Sequence, residues 1–190
     1  MNTVFDEIKI TPAGTIRSYR WYRDRVNQLA TGRNSDPKAL MSQTDQMTNT
    51  IMTGGMYLFY YDPKHKLTLP HYDTLPLVLP FRKVEDGFYG INLHYLPYLL
   101  RFRVLSELSK LVTNKNINEN TRIRLSWRIL TSAAALQPAS VCVKHYLYDH
   151  IRSRFLKIDF KDWVTASQLP LERFVKENKN SVWKQTVRKI

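Results

Sequence analysis

The sequence predicts an α+β fold with a small, mostly antiparallel sheet over about residues 56–95. This sheet is either open or curved into a half-barrel. That stretch favours strands because it is rich in aromatic and branched side chains between turn signals. Beyond residue 96, apolar side chains recur at spacings of three and four, which is typical of amphipathic helices and predicts a mostly helical C-terminal half. We expect residues 1–55 to form an N-terminal helix and polar arm, and residues 56–190 to form a single α+β domain with a basic C-terminal tail.

Composition excludes several classes of protein. The chain has 190 residues, of which 43% are hydrophobic and 12% aromatic, so it can bury a core and is not a disordered basic tail. No run approaches the roughly 18 apolar residues of a membrane-spanning helix, and the charges within residues 1–10 argue against a secretory signal. Cys142 is the single cysteine, which excludes an internal disulfide and fits a reducing compartment.

The N-terminal segment predicts one helix over residues 15–30. Tyr19, Tyr22 and Val26 recur at spacings of three and four and form one apolar stripe, while several arginines lie away from it. Residues 31–55 are polar and predict a linker or an extended arm.

Three strands are expected in the sheet region. Residues 56–61 are rich in aromatic side chains and stop at a turn signal, and residues 88–95 alternate with an imperfect phase. In residues 75–82, Pro76 and Pro80 cannot donate ladder hydrogen bonds. We therefore expect this strand to be an edge strand or a bulged one.

Helices are expected after the sheet. Pro97 favours the first turn of a helix, whose apolar stripe begins at Leu100 and places Arg101 on the solvent side. A second helix is expected before Pro138, and a third over residues 139–153.

The C-terminal segment predicts shorter elements. Residues 154–158 favour a short strand, and Asp159 is expected to cap a turn or helix, with Asp162 in a capping-box-like arrangement. Residues 172–177 are expected to form a last helical piece. Residues 178–190 then form an exposed basic end.

Positive charge is concentrated in the second half of the chain. The formal net charge is +13, and residues 101–190 hold 18 Lys and Arg against 7 Asp and Glu, whereas residues 56–100 hold four of each. This balance favours a polyanion or an acidic protein surface as partner, with an ordinary solvated surface as the alternative.

Basic residues interleaved with aromatic ones are typical of nucleic-acid binding, because cations contact phosphates and aromatic rings stack on exposed bases. The candidate phosphate contacts are Arg124, Arg128, Lys144, Arg152, Arg154, Lys157, Lys184, Arg188 and Lys189. Trp183 is the candidate for stacking on a terminal base pair. Aromatic residues that instead suit a protein interface are Tyr19, Trp21, Tyr22, Tyr60 and Tyr61.

No motif indicates catalysis or a cofactor. Cys142, His145 and His150 lack the spacing of a zinc site, and no catalytic triad or phosphate-binding glycine loop occurs. A metal-dependent nuclease could use Asp62 or Asp159, each followed within two residues by a lysine, but turn and capping roles explain these aspartates better. We predict no enzyme activity, no catalytic residue, no metal and no cofactor.

Several long stretches resemble a known family. They span residues 56–81, 87–97, 142–147, 154–159, 162–163 and 169–174. Over roughly residues 15–190 the chain resembles the DNA end protector proteins, which are small virion proteins of large contractile-tailed phages of the T-even type.

The resemblance implies a role without catalysis. Such a protein sits at the end of the packaged double-stranded DNA near the head–tail junction and shields that end from host exonuclease. The implied partners are the DNA end and portal, neck or tail proteins, with a homo-oligomer left open and no membrane. The implied locations are the virion, and the host cytoplasm during assembly and after injection. A structural neck, tail or baseplate component that makes mainly protein contacts is the alternative, and a packaging nuclease is a third hypothesis.

Overall fold

The computed structural model describes residues 17–29, 36–42, 44–112, 128 and 141–189. The helices are α1 (Tyr19–Leu29), α2 (Pro37–Met41), α3 (Tyr98–Val112), α4 (Trp163–Gln168) and α5 (Lys179–Arg188). The strands are β1 (Met47–Thr48), β2 (Met56–Leu58), β3 (Tyr72–Asp73), β4 (Leu77–Val84), β5 (Gly87–Asn92), β6 (Val143–Leu147), β7 (Phe155–Ile158) and β8 (Phe174–Val175).

The strands form one sheet and one ribbon. Six strands pair antiparallel in the order β1-β7-β2-β4-β5-β6, and β3 pairs with β8. The α+β prediction is confirmed, and the described strands do not close into a barrel. Met47 and Thr48, from the segment expected to form an arm, make up β1. The domain division at residue 55 stays a prediction.

The sheet separates two apolar clusters. On one face, Leu58 and Leu79 belong to a cluster that also contains residues of α3 and α4. On the other face, the ring centroid of Phe59 lies 5.1 Å from that of Phe155 and 5.3 Å from that of Tyr146. Successive strand residues point to opposite faces, and an apolar cluster covers each face of the sheet. All three positions of β2 are therefore buried.

Of the two alternatives expected for residues 75–82, an edge strand or a bulged one, the structure shows the bulged strand. The strand β4 carries the bulge that its prolines predict, between Pro80 and Arg82, but it lies inside the sheet between β2 and β5. The partner strand explains why an inner position is tolerated. Pro80 faces Gly90, where a side chain would meet the Val78 Cγ1 atom at 2.3 Å. The bulge and the missing side chain together accommodate a residue that cannot donate to the ladder.

The helix expected over residues 139–153 is wrong. Residues 143–147 form β6, which pairs with β5 over five positions, and a 3₁₀ turn follows. Branched and aromatic side chains favour this outcome locally, and tertiary packing decides it. Tyr146 is 3% exposed and completes the aromatic cluster around Phe59.

The C-terminal segment also differs from expectation. Residues 174–175 form β8 rather than a helical piece, while the strand expected at residues 154–158 is present as β7. The expected exposed basic end is only partly correct: Lys184, Arg188 and Lys189 are exposed, but residues 179–188 form α5, which is capped where Asn178 accepts a hydrogen bond from the Ser181 amide. Val182 is 1% exposed.

Other expectations meet the structure only in part. The helix after Pro97 is confirmed as α3. The aspartates at residues 159 and 162 occupy cap positions without making side-chain cap hydrogen bonds. The second helix before Pro138 lies outside the described residues apart from Arg128, which is exposed on a helix, and Arg124 lies outside them as well.

Arg101 is fully buried, contrary to the expectation that it faces solvent. Its Nε donates to the Leu96 carbonyl at 2.7 Å, and its two terminal nitrogens donate to the carbonyls of Ser167 and His94 at 3.0 and 3.1 Å. Nη1 also lies 2.7 Å from Oε1 of Glu172. One guanidinium therefore joins α3, α4, the 3₁₀ turn at residues 93–95 and the segment before β8.

We expect Arg101→Met to lower the free energy of unfolding by about 3–5 kcal/mol, because it removes the close counter-ion of the buried Glu172 carboxylate and leaves only Lys179, at 3.6 Å. Urea denaturation measures the loss. Arg103→Met, an exposed arginine on the same helix, is the matched control and should change stability by less than about 0.5 kcal/mol. Equal unfolding midpoints for the two variants would contradict this account.

Candidate nucleic-acid interface

A cleft of about 610 Å³ lies between β6, the loop of residues 63–71 and α5. Exposed Lys64 stands at its rim, and buried Asn92 and Tyr146 line its floor. We name it the β6 cleft. Six of its side chains are basic: Lys64, His65, His71, Lys144, His145 and Lys189.

Lys144 reaches into the interior of the β6 cleft. Its Nζ lies 4.2 Å from the ring centroid of Tyr95, which fixes the ammonium group by a cation–π contact. Burial lowers the pKa of Lys144, and the charge of Lys189 lowers it further. Among the described carboxylates, none lies within salt-bridge distance of Lys144.

His71 stands beside Lys144 in the same cleft. Its ring is tilted 5.6 Å from that of Tyr95, and its Nδ1 atom is buried without a hydrogen-bond partner in the described part of the chain. Burial lowers the pKa of His71, and the charges of Lys144 and Lys189 act in the same direction, against the opposing charge of Glu177. His71, Lys144 and Lys189 therefore influence one another electrostatically, although they come from three different elements.

Asp73 anchors the floor of the β6 cleft. Its Oδ1 accepts hydrogen bonds from the amides of Leu75 and Arg173, and its Oδ2 contacts Asn92 Nδ2 at 3.2 Å and His94 Nδ1 at 2.7 Å. Burial alone raises the pKa of Asp73, but the charge of His94 and these hydrogen bonds outweigh it, so the pKa lies below its ordinary value. This carboxylate is therefore committed within the protein.

The structure brings together only some of the predicted phosphate contacts. Lys144 and Lys189, 45 positions apart, share the β6 cleft. Arg154 instead ties β7 to the β1 region, because it donates to the Met47 carbonyl at 2.7 Å and to the Asn49 side chain at 3.1 Å. Arg152 donates to the Asp149 carbonyl at 2.8 Å. Lys157 is exposed on β7.

The remaining predicted cations lie on α5. Lys184 and Arg188 are exposed, four residues apart, and flank a shallow groove beside Trp183. The indole nitrogen of Trp183 donates to the His94 carbonyl at 2.8 Å, and its ring lies 5.0 Å from that of Tyr98. Trp183 is thus held by the core and half-buried. Its role in stacking stays a prediction.

The predicted interface aromatics largely pack within the chain. The rings of Tyr19 and Tyr22 lie 5.8 and 6.0 Å from that of Phe102 on α3, and Trp21 meets Tyr22 edge-on. Tyr61 is 8% exposed, and its hydroxyl accepts a hydrogen bond from the Leu147 amide. A role for Tyr61 in a protein interface stays a prediction. Tyr60 is half-buried against the core.

Sequence reasoning missed the loop side of the β6 cleft. His65 and His71 precede β3 in a polar loop, and Lys64 adjoins them. The available signal was this cluster of two histidines and a lysine within eight positions, but only the pairing of β3 with β8 places it opposite α5.

The part of the chain that the structure describes contains no group of three or more His, Cys, Asp or Glu side chains that could hold a metal ion. Asp62, a nuclease candidate, pairs with Lys66 at 2.9 Å, and Asp159 is exposed at a cap position. Burial raises the pKa of Cys142 to about 11. Among the described helices, none has the length and apolarity needed to cross a membrane.

Comparison with known proteins identifies the family. A family model described as the phage T4 terminal DNA protecting protein matches residues 8–189, which is nearly the whole chain. The chain belongs to that family. No curated protein and no solved structure matches the chain. Membership confirms the resemblance to DNA end protector proteins of phages, and it supports a DNA-binding protein concerned with protection of DNA ends.

The acid sensitivity of the fold follows from Asp73 and Glu172. Burial raises the pKa of Glu172, but Arg101, His94 and Lys179 outweigh it, so both carboxyl pKa values are lowered on folding. The unfolded chain then binds more protons near pH 4, and the free energy of unfolding falls as the pH falls below about 5.

We expect Asp73→Asn to be less stable than the wild type at pH 7 and to lose less stability between pH 7 and pH 4. Urea denaturation at several pH values measures both. Asp149→Asn, at an exposed position, is the control and should follow the wild-type curve. A wild-type stability that stays constant down to pH 3 would refute the assignment.

Proposed function

We propose that this protein binds the end of the packaged double-stranded DNA and shields it from host exonuclease, without catalysing a reaction. The family match over residues 8–189 carries the proposal. The excess of 18 Lys and Arg over 7 Asp and Glu in residues 101–190 supplies the charge that phosphate binding needs. The proposed place of action is the head–tail junction of the virion, and the host cytoplasm during assembly and after injection.

Helix α5 is the strongest candidate for contact with the DNA backbone. Lys184 and Arg188 share one exposed face because they are four residues apart. Trp183 lies between this face and the core. Cations on a helix that is fixed to the core lose less conformational freedom on binding than cations on a flexible tail.

The β7 region contributes less in this proposal. Lys157 is exposed and suits a phosphate contact. Arg154 and Arg152 already donate hydrogen bonds within the chain. Their loss would disturb the attachment of β1 and the turn before β7 as well as any DNA contact. Portal, neck or tail proteins, and further copies of this chain, are proposed as neighbours in the particle.

Binding to a short blunt linear duplex, compared with a closed circle of equal sequence across a salt series, tests the proposal. We expect tighter binding to the linear duplex and protection of its ends from an added exonuclease. Salt-dependent binding without preference for ends would reduce the role to general DNA contact. No binding at moderate salt would refute the proposal and favour a neck, tail or baseplate component held by protein contacts.

A double charge reversal assigns the contact surface. We expect Lys184→Glu with Arg188→Glu to weaken duplex binding, and the slope of log affinity against log salt to fall by about 2, because each phosphate contact contributes about 0.9. Lys38→Glu with Lys83→Glu makes the same change in net charge at exposed positions on α2 and β4. Equal losses in the two variants would mean that overall charge, and not α5, governs binding.

A further inference from the structure

The β6 cleft holds Lys144 and Lys189, with which no described carboxylate forms a salt bridge, and His71, whose pKa is raised by the charge of Glu177 but lowered overall. Lys144 contacts a tyrosine ring, His71 has a buried Nδ1 without a partner, and Lys189 lies beside them at the end of α5. Two acidic residues also line the cleft. Asp73 is occupied by its four donors, and the exposed Asp86 lies 3.3 Å from His145.

Lys144 is half-buried, and a partly desolvated ammonium group without a counter-ion is destabilising. The neutral form of the lysine reduces that cost, and the pKa of Lys144 is indeed lowered. A bound anion would reduce it further, because its charge favours the protonated lysine. The Tyr95 ring holds the ammonium group in place before an anion arrives, so binding requires little reordering of the side chain.

We propose that the β6 cleft binds the terminal phosphomonoester of the DNA end, with Lys144 and Lys189 contacting its oxygens and the unpartnered His71 Nδ1 donating a hydrogen bond. That the ligand is a DNA end rests on the proposed function. That the ligand carries a phosphate group is inferred from the residues of the cleft alone.

Charge and size favour a terminal phosphate over an internal one. A phosphomonoester carries a charge of about −1.5 to −2 at pH 7, whereas a backbone phosphodiester carries a single charge. Two lysines and a histidine therefore suit the monoester better. The cleft volume of about 610 Å³ is within the range of about 300–1,000 Å³ that is typical of small-molecule sites. Such a cleft accepts a nucleotide at a free end, but not a continuous duplex.

The experiment compares one blunt duplex with 5′-phosphate, 3′-phosphate or only hydroxyl ends. We expect the wild type to prefer one phosphorylated end over hydroxyl ends by about tenfold, which is the lower part of what a hydrogen bond to a charged group contributes. Lys144→Met keeps the aliphatic packing and should abolish the preference. Lys189→Met, at an exposed position, should reduce it without disturbing the fold. Lys157→Met, outside the cleft, should weaken all three duplexes equally.

A second measurement separates this inference from the proposed function. Inorganic phosphate should raise the unfolding temperature of the wild type more than that of Lys144→Met. End binding with no difference among the three duplexes overturns the inference and leaves the proposed function standing. If the protein binds no DNA but phosphate stabilises the wild type and not Lys144→Met, the cleft is a phosphate site whose ligand is not a DNA end. If the protein binds no DNA and phosphate does not stabilise it, the inference and the proposed function are both refuted.

Discussion

The buried guanidinium of Arg101 is the interaction on which the arrangement of the C-terminal half depends. Arg101 lies on α3, and Leu96, α4, the turn at residues 93–95 and the segment before β8 present main-chain oxygens or a carboxylate to it. Glu172 in turn contacts Lys179 at 3.6 Å, at the start of α5. Because a buried ion pair is tolerated only when its remaining hydrogen-bonding groups are satisfied, these elements must assemble together. The position of the basic helix α5 is therefore set by the core.

The β6 cleft depends on a second buried carboxylate. Asp73 holds the end of β5, the turn after it and the β3–β8 ribbon in one place. That arrangement sets the loop carrying His71 opposite Lys144 on β6 and Lys189 after α5. The two anchors meet at His94, whose side chain contacts Asp73 and whose carbonyl accepts hydrogen bonds from Arg101 and Trp183. The floor of the cleft and the basic helix thus share one polar framework.

The sequence predicts local features of this fold better than its long-range contacts. Alternation and turn signals were sufficient for the sheet around residues 56–92, and Pro80 correctly indicated the bulge of β4. The strand β6 was missed because its helix-compatible spacing is overruled by pairing with β5 along its whole length. Arg101 was misplaced for a different reason. It shares one helix face with Leu105 and Leu108, at spacings of four and seven, but a charged residue there is normally assigned to solvent.

The acidic residues are too few, and too often buried, to balance the positive charge of the chain. The chain has 16 Asp and Glu for 29 Lys and Arg. Of these acidic residues, Asp73 and Glu172 are buried and contact His94 and Arg101 inside the protein. These internal pairs fix the framework and leave fewer carboxylates to balance the cations of α5 and the β6 cleft. Self-repulsion among those cations opposes the compact state. DNA bound at these surfaces, as proposed, would reduce that repulsion, so DNA binding should raise the free energy of unfolding of the protein.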